Sequence, residues 1–70
     1  MYTSVNFTTK VEFRRAVKAG LPITLYSPAL GCPAVRGRAQ AEGPWPGTVG
    51  VRRWRCQVQV KDMRVVAVLR

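Results

Sequence analysis

The sequence predicts an α+β domain in which one short helix packs on a small, mainly antiparallel, twisted sheet of four to five strands. Two observations predict this class: apolar and polar residues alternate strictly near the C-terminus, and a capped amphipathic segment lies near the N-terminus. The predicted order of elements is (β)-α-β-β-β-β. A sheet this small can also curl into a partly open barrel, and the sequence alone does not separate the two forms.

The alternating stretch, Val51–Leu69, predicts two strands joined by a tight turn. One parity of the first strand is apolar and consists of Trp54, Cys56, Val58 and Val60. The other parity is polar and consists of Arg53, Arg55, Gln57, Gln59 and Lys61. Asp62 is the turn former, and Met63 stands where such a hairpin favours Gly. The second strand, Val65–Leu69, is apolar at both parities, which is typical of a strand covered on both faces.

The capped segment predicts a helix from Lys10 to Ala19. Its start is a capping-box pattern of Thr9 and Glu12, and its stop is Gly20 followed by Pro22. We expect Phe7 to pack back on the first turns. The buried stripe has helical spacing and consists of Phe13, Ala16 and Val17. A second, cationic stripe consists of Lys10, Arg14 and Lys18, with Arg15 beside it.

Three shorter stretches complete the predicted sheet: Tyr2–Phe7, Leu21–Ser27 and Ala34–Glu42. The apolar residues of the last are small, so we expect a bulky side chain to lie across it, and Trp45 of the following turn is the candidate. The predicted core consists of Phe13, Val17, Leu25, Trp54, Val58 and Val66.

Seventy residues make a single domain, 1–70, of marginal stability. No apolar run approaches the roughly 20 residues of a membrane helix, and no signal peptide is recognisable, so we expect a cytoplasmic protein. Cys32 and Cys56 are then expected as reduced thiols, although a disulfide between them stays open. With no histidine and three acidic residues, the chain is expected to be non-enzymatic, with no metal and no cofactor.

Positive charge dominates the composition: twelve Lys and Arg stand against three acids, for a net charge of +9. Most of these cations are Arg, whose guanidinium binds phosphate and carboxylate well. Such a surface attracts polyanions, more weakly as salt rises. The alternative is that the charge only keeps the protein in solution.

The sharpest binding candidate is the run Arg52–Arg55, because guanidinium groups beside an indole hold phosphate and stack on bases. Trp54 has core parity, however, which leaves Arg53 and Arg55 together on the other face. The predicted binding residues are Arg52, Arg53, Arg55, Gln57, Gln59 and Lys61 on the sheet, and Lys10, Arg14 and Lys18 on the helix. An ordinary solvated sheet face is the competing interpretation.

Trp45, between two prolines, is either a binding hot spot or a lid over Ala39 and Ala41. The shortage of core in so small a domain favours the lid.

The stretch Asn6–Tyr26 resembles small orphan proteins of bacteriophages, prophages and other mobile elements. The resemblance is carried by Phe7, Thr9, Lys10, Val11, Phe13, Arg14-Arg15, Ala16-Val17, Gly20 and Ile23–Tyr26. The stretch VQVKDMRVVAV resembles the terminal hairpin of such proteins, from which Met63 departs. The resemblance covers less than half of the chain and implies a phage-type origin without a specific activity. Small phage proteins of this size usually act by binding, often as inhibitors of a host machine such as polymerase or a CRISPR complex.

The leading hypothesis is a cationic binding module that engages nucleic acid or a nucleoprotein complex through an Arg-rich sheet face. The alternative is a phage-encoded inhibitor, anti-CRISPR-like or RNA-polymerase-inhibitor-like, that docks on an acidic protein surface of a host machine. We also expect a homodimer through the C-terminal hairpin, either by pairing of the apolar edge Val65–Leu69 or by sheet packing. Otherwise, Tyr2–Phe7 pairs with that edge and closes the sheet within one chain.

Overall fold

The computed structural model of the protein describes residues 1–27 and 36–70. These residues form, in chain order, β1 (Tyr2–Thr3), α1 (Lys10–Lys18), β2 (Leu25–Tyr26), β3 (Gly37–Gly43), β4 (Trp54–Lys61) and β5 (Arg64–Val68). The strands make one five-stranded sheet in the order β2-β1-β3-β4-β5. Only the β1–β3 pair is parallel among these described strands. The predicted α+β class is confirmed, and the sheet is open rather than closed into a barrel.

The ends of α1 follow the predicted signals. Thr9 is the N-cap, and its Oγ1 accepts a hydrogen bond from the N–H of Glu12 at 3.2 Å. The Glu12 carboxylate does not reach back to the Thr9 N–H but accepts a hydrogen bond from Thr8 Oγ1 at 3.2 Å. At the other end Gly20 adopts a φ of 82°, the left-handed conformation that ends helices at little cost to glycine. Its N–H donates to the Val17 carbonyl at 3.0 Å.

The core lies between α1 and one face of the sheet. From β4 it takes the predicted apolar parity, Trp54 to Val60, and the Trp54 indole stacks on Phe13 with ring centroids 5.1 Å apart. Phe13 also contacts Phe7 edge to face, with centroids 5.6 Å apart, as expected for a residue that packs back on the first turns. Trp54 Nε1 donates to the Phe7 carbonyl at 2.9 Å, so this buried polar group has a partner.

Trp54, and not the predicted Trp45, is the bulky side chain that lies across the end of β3, at Gly43. Gly43 is the cross-strand partner of Trp54, and a Cβ built on Gly43 would lie 2.6 Å from ring atoms of the indole. Only glycine leaves room for the ring there. Trp54 lies there because it is the cross-strand partner of Gly43, although Trp45 is nearer to Gly43 in the chain.

The C-terminal hairpin turns at Asp62 and Met63, whose φ angles are 52° and 66°. Two consecutive positive φ values fit the two-residue turn that matches strand twist. Beyond it, the pairing passes from Val60↔Val65 to Gln59↔Ala67, so a β-bulge places one extra residue in β5. Val65 is 4% exposed and Val66 is 50% exposed, so the predicted core position of Val66 is wrong and Val65 takes it.

The bulge also explains why β5 is apolar at both parities. Val65 and Val68 both pair with buried residues of β4, Val60 and Val58, although they are three positions apart in the chain. The extra residue switches the parity of the strand between them. The apolar residues of Val65–Leu69 therefore do not require a strand that is covered on both faces, as their pattern indicated.

The N-terminal strands are shorter than predicted and lie elsewhere in the sheet. β1 pairs with β2 and β3, far from the β5 edge, so the alternative to the homodimer, closure of the sheet by Tyr2–Phe7, is wrong. The β5 edge instead contacts the segment between α1 and β2: the Val65 N–H donates to the Ile23 carbonyl at 2.8 Å, and Arg64 Nη2 donates to the Gly20 carbonyl at 3.5 Å. The predicted loop at 29–33, with Cys32, and the first two residues of the predicted Ala34–Glu42 strand lie outside the described residues.

Candidate functional site

The face of the sheet opposite α1 is built from the polar parities of β3 and β4. Pairs that lie directly across two strands point to the same side, which places Arg38 beside Gln59, Gln40 beside Gln57 and Glu42 beside Arg55. β1 and β2 extend this surface through the pair Tyr2↔Tyr26. We call the surface the open face; it consists of Tyr2, Tyr26, Arg38, Gln40, Glu42, Arg53, Arg55, Gln57, Gln59 and Lys61.

No cation of the open face forms an ion pair with a carboxylate of the described residues. All twelve basic and three acidic residues fall within residues 1–27 and 36–70. In those ranges the one ion pair within 4.0 Å joins the α-ammonium of Met1 to Glu42 Oε1, at 3.9 Å. No Lys or Arg side chain described by the structure lies that close to a carboxylate. The face carries four cations and one carboxylate, Glu42, so it presents a net positive charge, which attracts anions over a distance.

A cleft opens at one end of the open face, where Trp45 and Arg53 meet Tyr2. Its volume is about 470 Å³, and its other described lining residues are Pro44, Pro46, Gly47, Thr48 and Val51. None of these lining residues is acidic. The cleft combines two aromatic rings with a guanidinium, the groups that stack on planar rings and hold phosphate or carboxylate.

Hydrogen bonds hold Trp45 in this cleft. Its Nε1 donates to the Thr3 carbonyl at 2.8 Å, and its backbone N–H donates to Asn6 Oδ1 at 2.9 Å. A turn closes the loop behind it, because the Thr48 N–H donates to the Trp45 carbonyl at 3.2 Å and Gly47 has a φ of 90°. Pro46 and Gly47 suit a turn that requires positive φ at its third residue.

The predicted lid of Trp45 over Ala39 and Ala41 is wrong. The indole is bonded to β1 through Thr3 and is 37% exposed, while the core cluster that contains Ala41 does not include it. The other interpretation of Trp45, as a binding hot spot, stays a prediction.

Arg53, which lines the cleft, is held by the other aromatic residue there, Tyr2. Its Nη2 donates to the Tyr2 hydroxyl at 3.0 Å. The Tyr2 ring in turn lies 6.4 Å from the Tyr26 ring, centroid to centroid, tilted by 47°. Arg53 lines the same cleft as the Trp45 indole, and the remaining N–H groups of its guanidinium are available to an incoming anion.

The predicted binding residues separate into two groups on opposite sides of the sheet. Arg53, Arg55, Gln57, Gln59 and Lys61 lie on the open face, whereas Lys10, Arg14 and Lys18 lie on α1. Arg14 and Lys18 line a groove of about 450 Å³ with Val17 and Val66–Val68. Arg52 lines a smaller depression between the start of α1 and the start of β4, together with Thr8, Thr9, Lys10, Val51, Arg53 and Trp54.

Five residues of the open face were missed as site candidates: Tyr2, Tyr26, Arg38, Gln40 and Glu42. The alternation of Arg38 and Gln40 with Gly37, Ala39 and Ala41 carries the signal, but it points to the site only once β3 is paired with β4. Tyr2 has no such signal, because its contact with Arg53 joins positions 51 residues apart in the chain.

Cys56 is a buried free thiol beneath α1, as its parity predicted. Burial raises the pKa of the Cys56 thiol above its ordinary value, and the positive charges of Lys10 and Arg14 offset part of this rise. A neutral, enclosed thiol is a core group rather than a nucleophile. Within the two described ranges, no three Cys, Asp or Glu residues converge as metal ligands would.

Searches against protein-family models, curated proteins and solved structures gave no significant match to this chain. In the part of the chain that the structure describes, no helix combines the length and apolar character needed to cross a bilayer.

Proposed function

We propose that the protein is a small, non-enzymatic module that binds nucleic acid, alone or within a nucleoprotein complex, through its open face. The observation that carries the proposal is the charge of that face: Arg38, Arg53, Arg55 and Lys61 have no carboxylate within 4.0 Å. A polyanion supplies the missing partners and releases its counterions on binding, which is the main source of affinity in such complexes. Arg, which predominates here, also suits the fork-like geometry of phosphate contacts.

Glutamine amides lie between the cations and fit the same ligand. Gln57 and Gln59 alternate with core residues along β4, and Gln40 lies directly across from Gln57 on β3. Each amide offers both donors and acceptors, so it can bond to sugar hydroxyls, phosphate oxygens and base edges. The polar row follows β4 along the sheet and ends beside the aromatic cleft, as a platform for an extended strand would.

The resemblance to phage and mobile-element proteins supports a phage-type origin and work in the cytoplasm of a bacterial host. The partner is then host or phage nucleic acid, and binding takes place at the ionic strength of the bacterial cytoplasm.

Binding titrations test the proposal. Fluorescently labelled single-stranded and duplex DNA and RNA should bind at low salt, and the logarithm of the association constant should fall linearly with the logarithm of the salt concentration. Failure of every nucleic acid to bind at low salt, or binding that ignores salt, contradicts the proposal. The double variant Arg53→Glu, Arg55→Glu should abolish binding while it leaves the circular dichroism spectrum unchanged.

One observation favours a second candidate, an inhibitor that docks on an acidic surface of a host machine. Trp45 is an exposed indole held by two hydrogen bonds between two prolines, as aromatic anchors at protein interfaces often are. A pull-down from host lysate treated with nuclease separates the candidates. A stoichiometric protein partner that survives nuclease favours the inhibitor, and loss of all partners favours nucleic acid.

A further inference from the structure

Resting on the proposed function, we propose that the cleft of Tyr2, Trp45 and Arg53 takes one unstacked base of a single strand, so that the module prefers single-stranded nucleic acid to duplex. Charge alone would attract both forms. The cleft is the part of the surface that distinguishes them, because a base inside a duplex has both faces stacked and offers none to an indole.

The geometry supports a base rather than an aliphatic or acidic side chain. The cleft volume of about 470 Å³ lies within the range of small-ligand sites. Two aromatic side chains that are distant in the sequence, Tyr2 and Trp45, line it. The guanidinium of Arg53 lines the cleft, where it can bond to the phosphate attached to the stacked nucleotide. The lining holds no carboxylate, so nothing there repels that phosphate.

The cleft is also organised before binding. The Trp45 indole is fixed at 2.8 Å to the Thr3 carbonyl, and the Arg53 guanidinium is fixed at 3.0 Å to the Tyr2 hydroxyl. Groups that are already in place lose little conformational entropy when a ligand arrives.

The two tryptophans provide the assay. Trp54 is 8% exposed and stacked on Phe13, whereas Trp45 is exposed in the cleft. A base that stacks on Trp45 should quench its fluorescence, and the buried Trp54 should not respond. We therefore expect quenching when an unlabelled single-stranded oligonucleotide binds, no quenching when a duplex of the same composition binds, and no quenching in Trp45→Phe.

The affinity measurement uses labelled forms of the same two probes. Trp45→Ala should weaken single-strand binding by about 5- to 100-fold, the equivalent of one lost stacking contact, and leave duplex binding within about two-fold. Tyr2→Phe keeps the ring but removes the hydrogen bond to Arg53, and it should cause a smaller loss for the single strand. If Trp45→Ala does not fold, the quenching of the wild-type protein decides the question.

The outcomes separate this inference from the function on which it rests. Salt-dependent binding of single strand and duplex with equal affinity, without quenching, overturns the base site and leaves the proposed function standing. Failure of both probes to bind at low salt overturns both. Quenching by the single strand alone, lost in Trp45→Phe, supports both.

Discussion

The two faces of β4 come from the same eight residues but meet opposite physical demands. On the core face, Trp54, Cys56, Val58 and Val60 are buried against α1 and the small residues of β3. On the open face, Arg55, Gln57 and Lys61 are exposed and form no ion pair within the described residues. On the core face, close packing restricts the size and shape of each side chain. On the open face, the side chains are solvated and can carry charge.

This difference means that stability and binding should be separable by face. Substitutions on the core face should change the free energy of unfolding first, and binding only as a consequence. Substitutions on the open face should change binding without unfolding the protein, because surface changes away from packed features usually alter stability by less than about 0.5 kcal/mol.

The largest expected effect is that of Trp54→Ala, which should lower the free energy of unfolding by about 3–5 kcal/mol. The ring stacks on Phe13 and its Nε1 bonds to the Phe7 carbonyl, so its loss leaves a cavity and an unpaired acceptor. A domain this small is close to unfolding after such a loss. Urea denaturation measures it.

Trp45→Ala is the matched control, since the same side chain is removed outside the core. It should cost only about 1 kcal/mol, mainly the hydrogen bond to the Thr3 carbonyl. A well-folded Trp54→Ala variant that has lost binding would reverse the assignment of the two tryptophans.

Gly43→Ala should lower the free energy of unfolding by about 1–3 kcal/mol, because the new methyl group overlaps the Trp54 ring at 2.6 Å. The ring is held in place, because its Nε1 donates a hydrogen bond to the Phe7 carbonyl at 2.9 Å. Combining Gly43→Ala with Trp54→Phe, whose smaller ring leaves room, should cost less than the sum of the two single changes. Strict additivity in denaturation experiments would show that the close approach is not the cause.

Met63→Gly should raise the free energy of unfolding by about 1 kcal/mol. Met63 holds a φ of 66°, which is unfavourable for a residue with a Cβ and favourable for glycine. Asp62→Gly is the control at the neighbouring position, where φ is 52° but an Asp side chain tolerates that conformation better. Thermal denaturation should show the larger gain for Met63→Gly; equal effects would mean that the turn is not strained at that residue.

Local patterns predicted most of the fold. The capping residues Thr9 and Gly20 mark the ends of α1, and the alternation from Arg53 to Lys61 assigns each side chain of β4 to its face. Both signals are carried by neighbours in the chain. They were sufficient for the class, for the core position of Trp54 and for the location of Arg55 on the open face.

The parts that could not be predicted depend on long-range pairing. The bulge that exposes Val66 is invisible in an unbroken apolar run, because it is a property of the register with Gln59. The choice of Trp54 over Trp45 to lie across Gly43 is likewise made across strands. The cleft requires Tyr2 and Arg53 to meet, and no local pattern links positions so far apart.

The homodimer through β5, where the two faces meet at an edge, stays a prediction. Antiparallel pairing of two β5 strands would bring Arg64 of one copy toward Arg70 of the other, and like charges oppose such pairing. Salt screens that repulsion, so association should strengthen as salt rises. Analytical centrifugation at micromolar protein should show a mass above the 7.8 kDa of one chain; a clean monomer at low and high salt would contradict the dimer.

Nucleic acid is proposed to bind the open face specifically. The alternative is that it is attracted by the net positive charge of the protein, wherever that charge lies. The most direct test compares two variants with the same net charge: Arg53→Gln, Arg55→Gln on the open face, and Arg14→Gln, Lys18→Gln on α1. Each removes two positive charges, so any loss that depends only on net charge should be equal.

Titration of one single-stranded oligonucleotide across a series of salt concentrations gives the affinity and the salt slope of both variants. We expect the open-face variant to lose at least about ten-fold in affinity at low salt and to show a slope reduced by up to about two, while the helix variant stays close to wild type. Equal losses in the two variants, or a greater loss in the helix variant, would contradict the assignment of binding to the open face.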